Sequence, residues 1–390
     1  MIRPSDKAAR FTESVIREMT RLAEAHGAIN LAQGFPDFPA PEALKEAACR
    51  FIREDRNQYA ITWGAKPFRD ALAQKYGAHN GMSVDPETMI TVCCGSTEAM
   101  ISALLATINP GDEIVVLEPF YENYGPDTIL CGAVPRFVRM RPPDWTIDER
   151  ELAAAFTKRT RGIIINTPNN PTGKVFTRAE LELIADLCRR HDALAFTDEV
   201  YEHIVYDGAR HVSIASLDGM AERTLTISAL SKTFSVTGWR LGYVIAPPSL
   251  TGAVRKVHDF LTVGAPHPLQ LAAAHLLRHG GGVLEALGRE YQERRDLFYE
   301  GLAAAGLPAS RKPLGAYYVM VDIGAFGFPD DTAFARWMCK EVGVAAVPGS
   351  SFYVDPRDGA RQVRFCFCKK LETLREANRR LAAMTAAQKR

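Results

Sequence analysis

The chain has 390 residues, 47% hydrophobic and 24% charged, which are globular proportions without a long disordered or low-complexity stretch. Its 47 Lys and Arg against 46 Asp and Glu leave a formal net charge of +1, so no excess positive field exists to hold a nucleic-acid backbone. Charge interrupts the N-terminal stretch every few residues, giving neither a signal-peptide core nor a spanning segment, and the expectation is a cytoplasmic protein with no membrane partner. Eight scattered cysteines without paired C-x-x-C spacing predict reduced core thiols and no metal site.

In chain order, short β-rich runs alternate with helical patterns from Thr88 to Ala246, which predicts a mostly parallel sheet flanked by helices. Residues 89–94 read as a buried strand, and a helix opens over Gly95, Ser96 and Thr97. Further strands are predicted at 113–119, 162–166, 193–198, 224–228 and 242–246. Between the third and fourth of these six, Thr177 and Glu180 have capping-box spacing, and Leu181, Ile184, Leu187 and Cys188 repeat along one helical face. After Pro247 come charge-rich amphipathic helices, notably 283–306, then strand-like runs at 316–323 and 362–368. The predicted fold is α/β: a large domain over 48–285 with a mostly parallel sheet, and a smaller α+β domain made of 1–47 and 286–390.

Ligands of parallel sheets bind beyond the carboxyl ends of the strands, so the residues that follow each strand carry the functional reading. Ser96 and Thr97 open a helix whose free N–H groups favour an anion, although simple capping also explains them. Tyr121 offers an aromatic face or a packing ring; Asn170, in TPNNPTG, is a positioned amide or part of a turn. Asp198 closes an apolar strand, where a buried carboxylate needs a partner, and Tyr201 follows it. Ser231 and Lys232 follow the strand at 224–228; burial would push the Lys232 amine towards neutrality, the condition for a nucleophile, unless the side chain reaches solvent. Together these groups fit a phosphorylated aromatic aldehyde, pyridoxal 5'-phosphate. Lys232 would form the Schiff base, Asp198 would hold the ring nitrogen protonated, and Asn170 and Tyr201 would bond the ring hydroxyl. Ser96, Thr97, Ser231 and Arg240 would hold the phosphate, with Tyr121 stacked on the ring.

NLAQGFPDFP, NQYAITWGAKPFRDALA, NNPTG, TDEVYEHIVYDG, SKTFSVTGWRLGY and VRFCF occur in this order from Asn30 onward. In these motifs the chain resembles the class I aminotransferases of the aspartate aminotransferase superfamily, pyridoxal-phosphate enzymes of fold type I. The resemblance implies that Gly34 and Arg364 bind the substrate α-carboxylate, with Asn170 beside them, and that Tyr59 reaches the phosphate of a neighbouring subunit in a homodimer with shared active sites. From the residues alone, Arg364 has two readings, an anion site or an internal ion pair. Ala229 stands where relatives often carry a phosphate-binding serine.

The implied reaction is a ping-pong transfer of an amino group from an L-amino acid to a 2-oxo acid, with Lys232 as general base. The motif wording is most similar to the kynurenine, glutamine and methionine aminotransferase branch, which implies neutral, aromatic or sulfur-containing side chains. Residues 258–270 lack the arginine that dicarboxylate-specific relatives place there, which argues against a purely aspartate-specific enzyme. An aspartate-type aminotransferase of broad range, a cysteine-conjugate β-lyase on the same cofactor, and a non-catalytic effector-binding regulator are the competing readings.

Overall fold

In the computed structural model, which describes residues 3–388, the chain begins with α1 (Val15–His26), β1 (Ile29–Asn30), α2 (Glu42–Arg53) and α3 (Lys66–Asn80). The central region runs β2 (Ile90–Cys93), α4 (Ser96–Thr107), β3 (Glu113–Glu118), α5 (Tyr124–Leu130), β4 (Val134–Arg141), β5 (Thr146–Ile147), α6 (Glu149–Ala155), β6 (Thr160–Asn166), α7 (Arg178–His191), β7 (Leu194–Asp198), β8 (Thr224–Ala229), α8 (Leu230–Thr233) and β9 (Gly242–Ile245). Then come α9 (Pro248–Thr262), α10 (His267–His279), α11 (Val283–Ala304), β10 (Tyr318–Asp322), α12 (Asp331–Trp337), β11 (Val344–Ala345), β12 (Val347–Pro348), β13 (Gln362–Cys366) and α13 (Leu371–Gln388). The divisions after residues 47 and 285 fall inside α2 and α11.

The main sheet has the order β2-β9-β8-β7-β6-β3-β4-β5, and β4, β3, β6, β7 and β8 run parallel. Its central strands are covered on both faces, which is why they read as unbroken apolar runs. Alternate residues feed opposite cores: Val115, Ile163, Ile165 and Ala195 pack with Leu181, Ile184 and Leu187 of α7, while Val116, Ile164, Phe196 and Ile227 pack with Ala99, Ala103 and Leu104 of α4. The sequence reading missed β4 and β5. They form the sheet edge, where Arg136, Arg139 and Arg141 interrupt the apolar pattern, a composition that discourages edge pairing with other chains.

The strand predicted at 242–246 is present as β9, but it runs antiparallel to both β8 and β2. A parallel neighbour needs a long crossover, usually a helix packed on the sheet. Here the connection is short, and the Leu230 N–H donates to the Leu241 carbonyl as the chain doubles back. The site therefore receives the end of β8 and the beginning of β9 at one edge, which brings Lys232 and Arg240 together.

The capping box is complete: the Thr177 hydroxyl accepts from the Glu180 N–H, and the Glu180 carboxylate accepts from the Thr177 N–H. Thr177→Ala is expected to destabilise the protein by about 1 kcal/mol, read from a urea unfolding midpoint. On α3, Lys75 pairs with Glu202 just past β7, both buried, and this clamps the helix under the carboxyl edge.

In the C-terminal part β10, β13 and β12 form an antiparallel sheet that sets Arg364 opposite Met320 and Val347, while β1 pairs with β11. All eight cysteines are free; Cys49 is exposed, Cys94 half-buried and the others buried. Among the described residues no helix is long and apolar enough to cross a membrane.

Candidate active site

The carboxyl ends of β6, β7 and β8, the start of α4 and the turn into β9 surround a cavity of about 200 Å³. Gly34, Ser96, Thr97, Tyr121, Asn170, Asp198, Tyr201, Ser231, Lys232, Arg240 and Arg364 all line it. Gly95 and Tyr59 do not. Gly95 lies just behind the wall, and Tyr59, 81% exposed, sits in a separate surface depression with Arg56, His267 and Arg278. Ala229 is packed in the core, away from the cavity.

The Lys232 amine donates to the Gly34 carbonyl at 3.3 Å. Burial pushes its pKa down, and the cationic neighbours Arg240 and Arg364 act in the same direction, against Cys368 and Asp198. Asp198 accepts from the Tyr124 hydroxyl at 2.8 Å and the Val200 N–H at 3.3 Å, yet burial still raises its carboxyl to about 6. Behind it Asp127 is raised to about 7, by burial and by the charge of Asp198.

One wall is electropositive. Gly95 has φ +87°, and a Cβ there would lie 2.0 Å from Arg240 Nη2; a Cβ on Gly242 would lie 2.5 Å from the Ser96 nitrogen. Only glycine lets the two backbone turns close on each other. Arg240 donates to the carbonyls of Thr237 and Cys94 and has no carboxylate partner among the described residues. With the N-terminus of α4 beside it, this wall carries uncompensated positive charge. The Ser231 hydroxyl is buried here without a hydrogen-bond partner.

The opposite wall holds a second free cation. Arg364 is 1% exposed, donates to Asn170 Oδ1 at 2.7 Å and to the Ala32 carbonyl at 2.5 Å, and leaves Nε unpartnered. Its guanidinium lies 4.3 Å from the Tyr318 ring centroid and 5.0 Å from that of Phe352. No carboxylate pairs with Arg364 among the described residues. A buried cation without a counter-ion is costly until an anion arrives. Tyr201 and Tyr318 share a hydrogen bond at 3.1 Å, and Gly34 is forced to be glycine because a Cβ would meet the Tyr318 hydroxyl at 2.0 Å.

The sequence reading missed Tyr124 and Tyr318. Tyr124 lies one helical turn after Tyr121 and in the same FYENY run, so its signal was available. Tyr318 pairs with Cys366 across the β10–β13 ladder, diagonal to Arg364, and only the pairing register discloses that.

The residues fit pyridoxal 5'-phosphate: an anion wall with an orphaned hydroxyl, a buried carboxylate able to face a ring nitrogen, and an amine held short of full basicity. The model of the family "Aminotransferase class I and II" matches residues 26–381. The chain is 38% identical to kynurenine–oxoglutarate transaminase 1 of Homo sapiens, over 93% of this chain and 94% of that one. Among solved structures, N-succinyldiaminopimelate aminotransferase from Mycobacterium tuberculosis superposes with a TM-score of 0.95 at 38% identity, covering 98% of this chain and 100% of that one. A methionine aminotransferase from Escherichia coli superposes at 0.94 and 36% identity, with 98% and 100% covered. The chain belongs to the class I and II aminotransferases and is a pyridoxal-phosphate-dependent enzyme acting on amino acids and 2-oxo acids.

Proposed function

We propose that this aminotransferase works through Lys232, Asp198 and Arg364, and that it favours amino acids with neutral, aromatic or sulfur-containing side chains. The observation that carries the reading is the convergence of a depressed amine, a buried carboxylate and an unpaired buried guanidinium on one cavity. Lys232 would hold the cofactor aldehyde, Asp198 the ring nitrogen, Asn170 and Tyr201 the ring hydroxyl, Tyr121 the ring face, and Ser96, Thr97, Ser231 and Arg240 the phosphate, with Gly95 keeping the wall open. When bound, the cofactor acts as an electron sink that acidifies the substrate α-carbon. Arg364 orients the substrate by a two-pronged grip on its α-carboxylate, with Gly34 closing over it. The Lys232 Nζ would take the substrate α-proton and return it one carbon away. Water would release the first 2-oxo acid, and a second 2-oxo acid would take up the amino group by the same steps reversed, a ping-pong cycle.

A homodimer in the cytoplasm with shared active sites is part of the proposal. Tyr59, 81% exposed, and Phe260, 93% exposed, lie with Ile61, Leu261 and Val263 among the exposed large apolar side chains, a surface that a second copy would cover. Eight free cysteines fit a reducing compartment.

A half-reaction screen of all amino acids and several 2-oxo acids, followed by the cofactor absorbance, tests the reading. Neutral and aromatic donors are expected to react faster than aspartate; a strong preference for aspartate overturns the side-chain preference, and no reaction with any donor overturns the site. Arg364→Lys is expected to lower kcat/KM by about tenfold to a hundredfold, mainly through KM, because an ammonium cannot reproduce the two-pronged grip.

A further inference from the structure

His258 lies on α9, 0% exposed, outside the cavity lining. Its Nε2 is 2.9 Å from the Thr62 carbonyl, which can only accept, so Nε2 carries a proton. Its Nδ1 is 3.1 Å from both carboxylate oxygens of Glu98. Glu98 already accepts from the Cys94 N–H at 2.9 Å and from the Ser102 hydroxyl. The Thr262 hydroxyl, 3.3 Å from Nδ1, has the His258 carbonyl at 3.4 Å to donate to, and a lone pair on Nδ1 would face the two carboxylate oxygens in repulsion, so Nδ1 carries a proton as well. Consistently, hydrogen bonding and charge within the pair raise His258 and lower Glu98 despite the burial that opposes both. The imidazolium has no lone pair left for a metal, although Cys93 lies close to both groups.

Each end of this ion pair holds something the reaction needs. Glu98 is the third residue of α4 and fixes Cys94, whose carbonyl receives Arg240 and whose successor Gly95 packs against Gly242. Thr62 belongs to the segment between α2 and α3 that exposes Tyr59 three residues earlier. A buried pair of opposite charges that bridges two backbone segments fixes their separation better than packing alone.

We propose that His258 is a positioning residue that locks the anion wall of one subunit to the Tyr59 segment, so that the wall receiving phosphate and the tyrosine offered to a neighbouring copy are set by one ion pair. This rests on the reading of Arg240 and Tyr59 as phosphate ligands. The test is the dissociation constant of pyridoxal phosphate from the dimeric holoenzyme, measured by absorbance for His258→Asn, Tyr59→Phe and the double variant. His258→Asn is expected to weaken cofactor binding about tenfold, the effect of losing a charge-assisted hydrogen bond, with a smaller change in kcat at saturating cofactor. The double variant is expected to lose less than the product of the separate losses, because both act through the same segment. Multiplying losses, or unchanged affinity in His258→Asn, would overturn the proposal. Should that variant not fold, Glu98→Gln is read in the same way. Arg240→Ala separates the two levels: if it leaves cofactor affinity unchanged, the phosphate reading itself has failed; if it weakens binding while His258→Asn does not, only the positioning role falls.

Discussion

Lys232→Ala is expected to lower kcat by about four orders of magnitude, because in the proposed mechanism one substitution removes both the covalent anchor of the cofactor and the base that moves the α-proton. The cofactor is still expected to bind through the phosphate wall and Asp198, so the purified variant stays coloured with a shifted absorbance maximum. Lys232→Arg discriminates charge from basicity: it keeps a cation in the cavity but cannot give up its proton near neutral pH, and it is expected to be as slow as the alanine variant. Burial, with Arg240 and Arg364 nearby, pushes the Lys232 amine below its ordinary basicity, the direction a nucleophile and base needs. A small primary amine in the buffer is expected to restore part of the α-proton transfer in the alanine variant. Single-turnover measurement with a saturating amino acid reads all of these, and a variant that transaminates at the native rate would remove Lys232 from the mechanism.

The parts of the fold legible in sequence were those with strong local signals. The central strands were readable because burial on both faces leaves uninterrupted apolar runs, and α7 because Thr177 and Glu180 announce its start. The edge strands β4 and β5 were not, since a charged edge resembles a loop in composition. The direction of β9 was also hidden. It depends on whether the Leu230–Leu241 connection crosses the sheet or returns, which is a question of tertiary packing. Among the residues that line the cavity, those at or just past strand ends were identifiable by topology, as Asp198 at the end of β7 and Lys232 just past β8 show. Arg364 has two readings in sequence, and its partners, Asn170 and the Ala32 carbonyl, are disclosed only by the fold. Tyr318, Glu98 and His258 act across elements far apart in the chain, and no local pattern marks such partnerships.

Asp198→Asn is expected to move activity and stability in opposite directions. In the proposed site the carboxylate holds a protonated ring nitrogen, and its loss is expected to lower kcat by about 10²–10³, the scale for removing one preorganised electrostatic partner. The cofactor-free protein, by contrast, is expected to gain about 2–3 kcal/mol at pH 8, from the rise of Asp198 to about 6 against about 3.9 in an unfolded chain. The sign follows from proton linkage. A buried acid with a raised pKa binds its proton more tightly folded than unfolded, so the native protein gains stability as pH falls from 6 to 4 and loses it as pH rises. The amide lacks this titration, so its advantage is full above pH 6 and vanishes near pH 4. The substitution also removes the charge that helps keep Asp127 at about 7, and that carboxyl is expected to titrate lower. The amide oxygen can still accept from the Tyr124 hydroxyl, so the geometry of the site is preserved while its charge is not. Urea unfolding of the cofactor-free protein between pH 4 and 8, set beside half-reaction rates of the reconstituted enzyme, checks both arms. Equal stability of the two proteins across that range would mean that Asp198 is not held as a costly buried charge, and the electrostatic account of its role would fall with it.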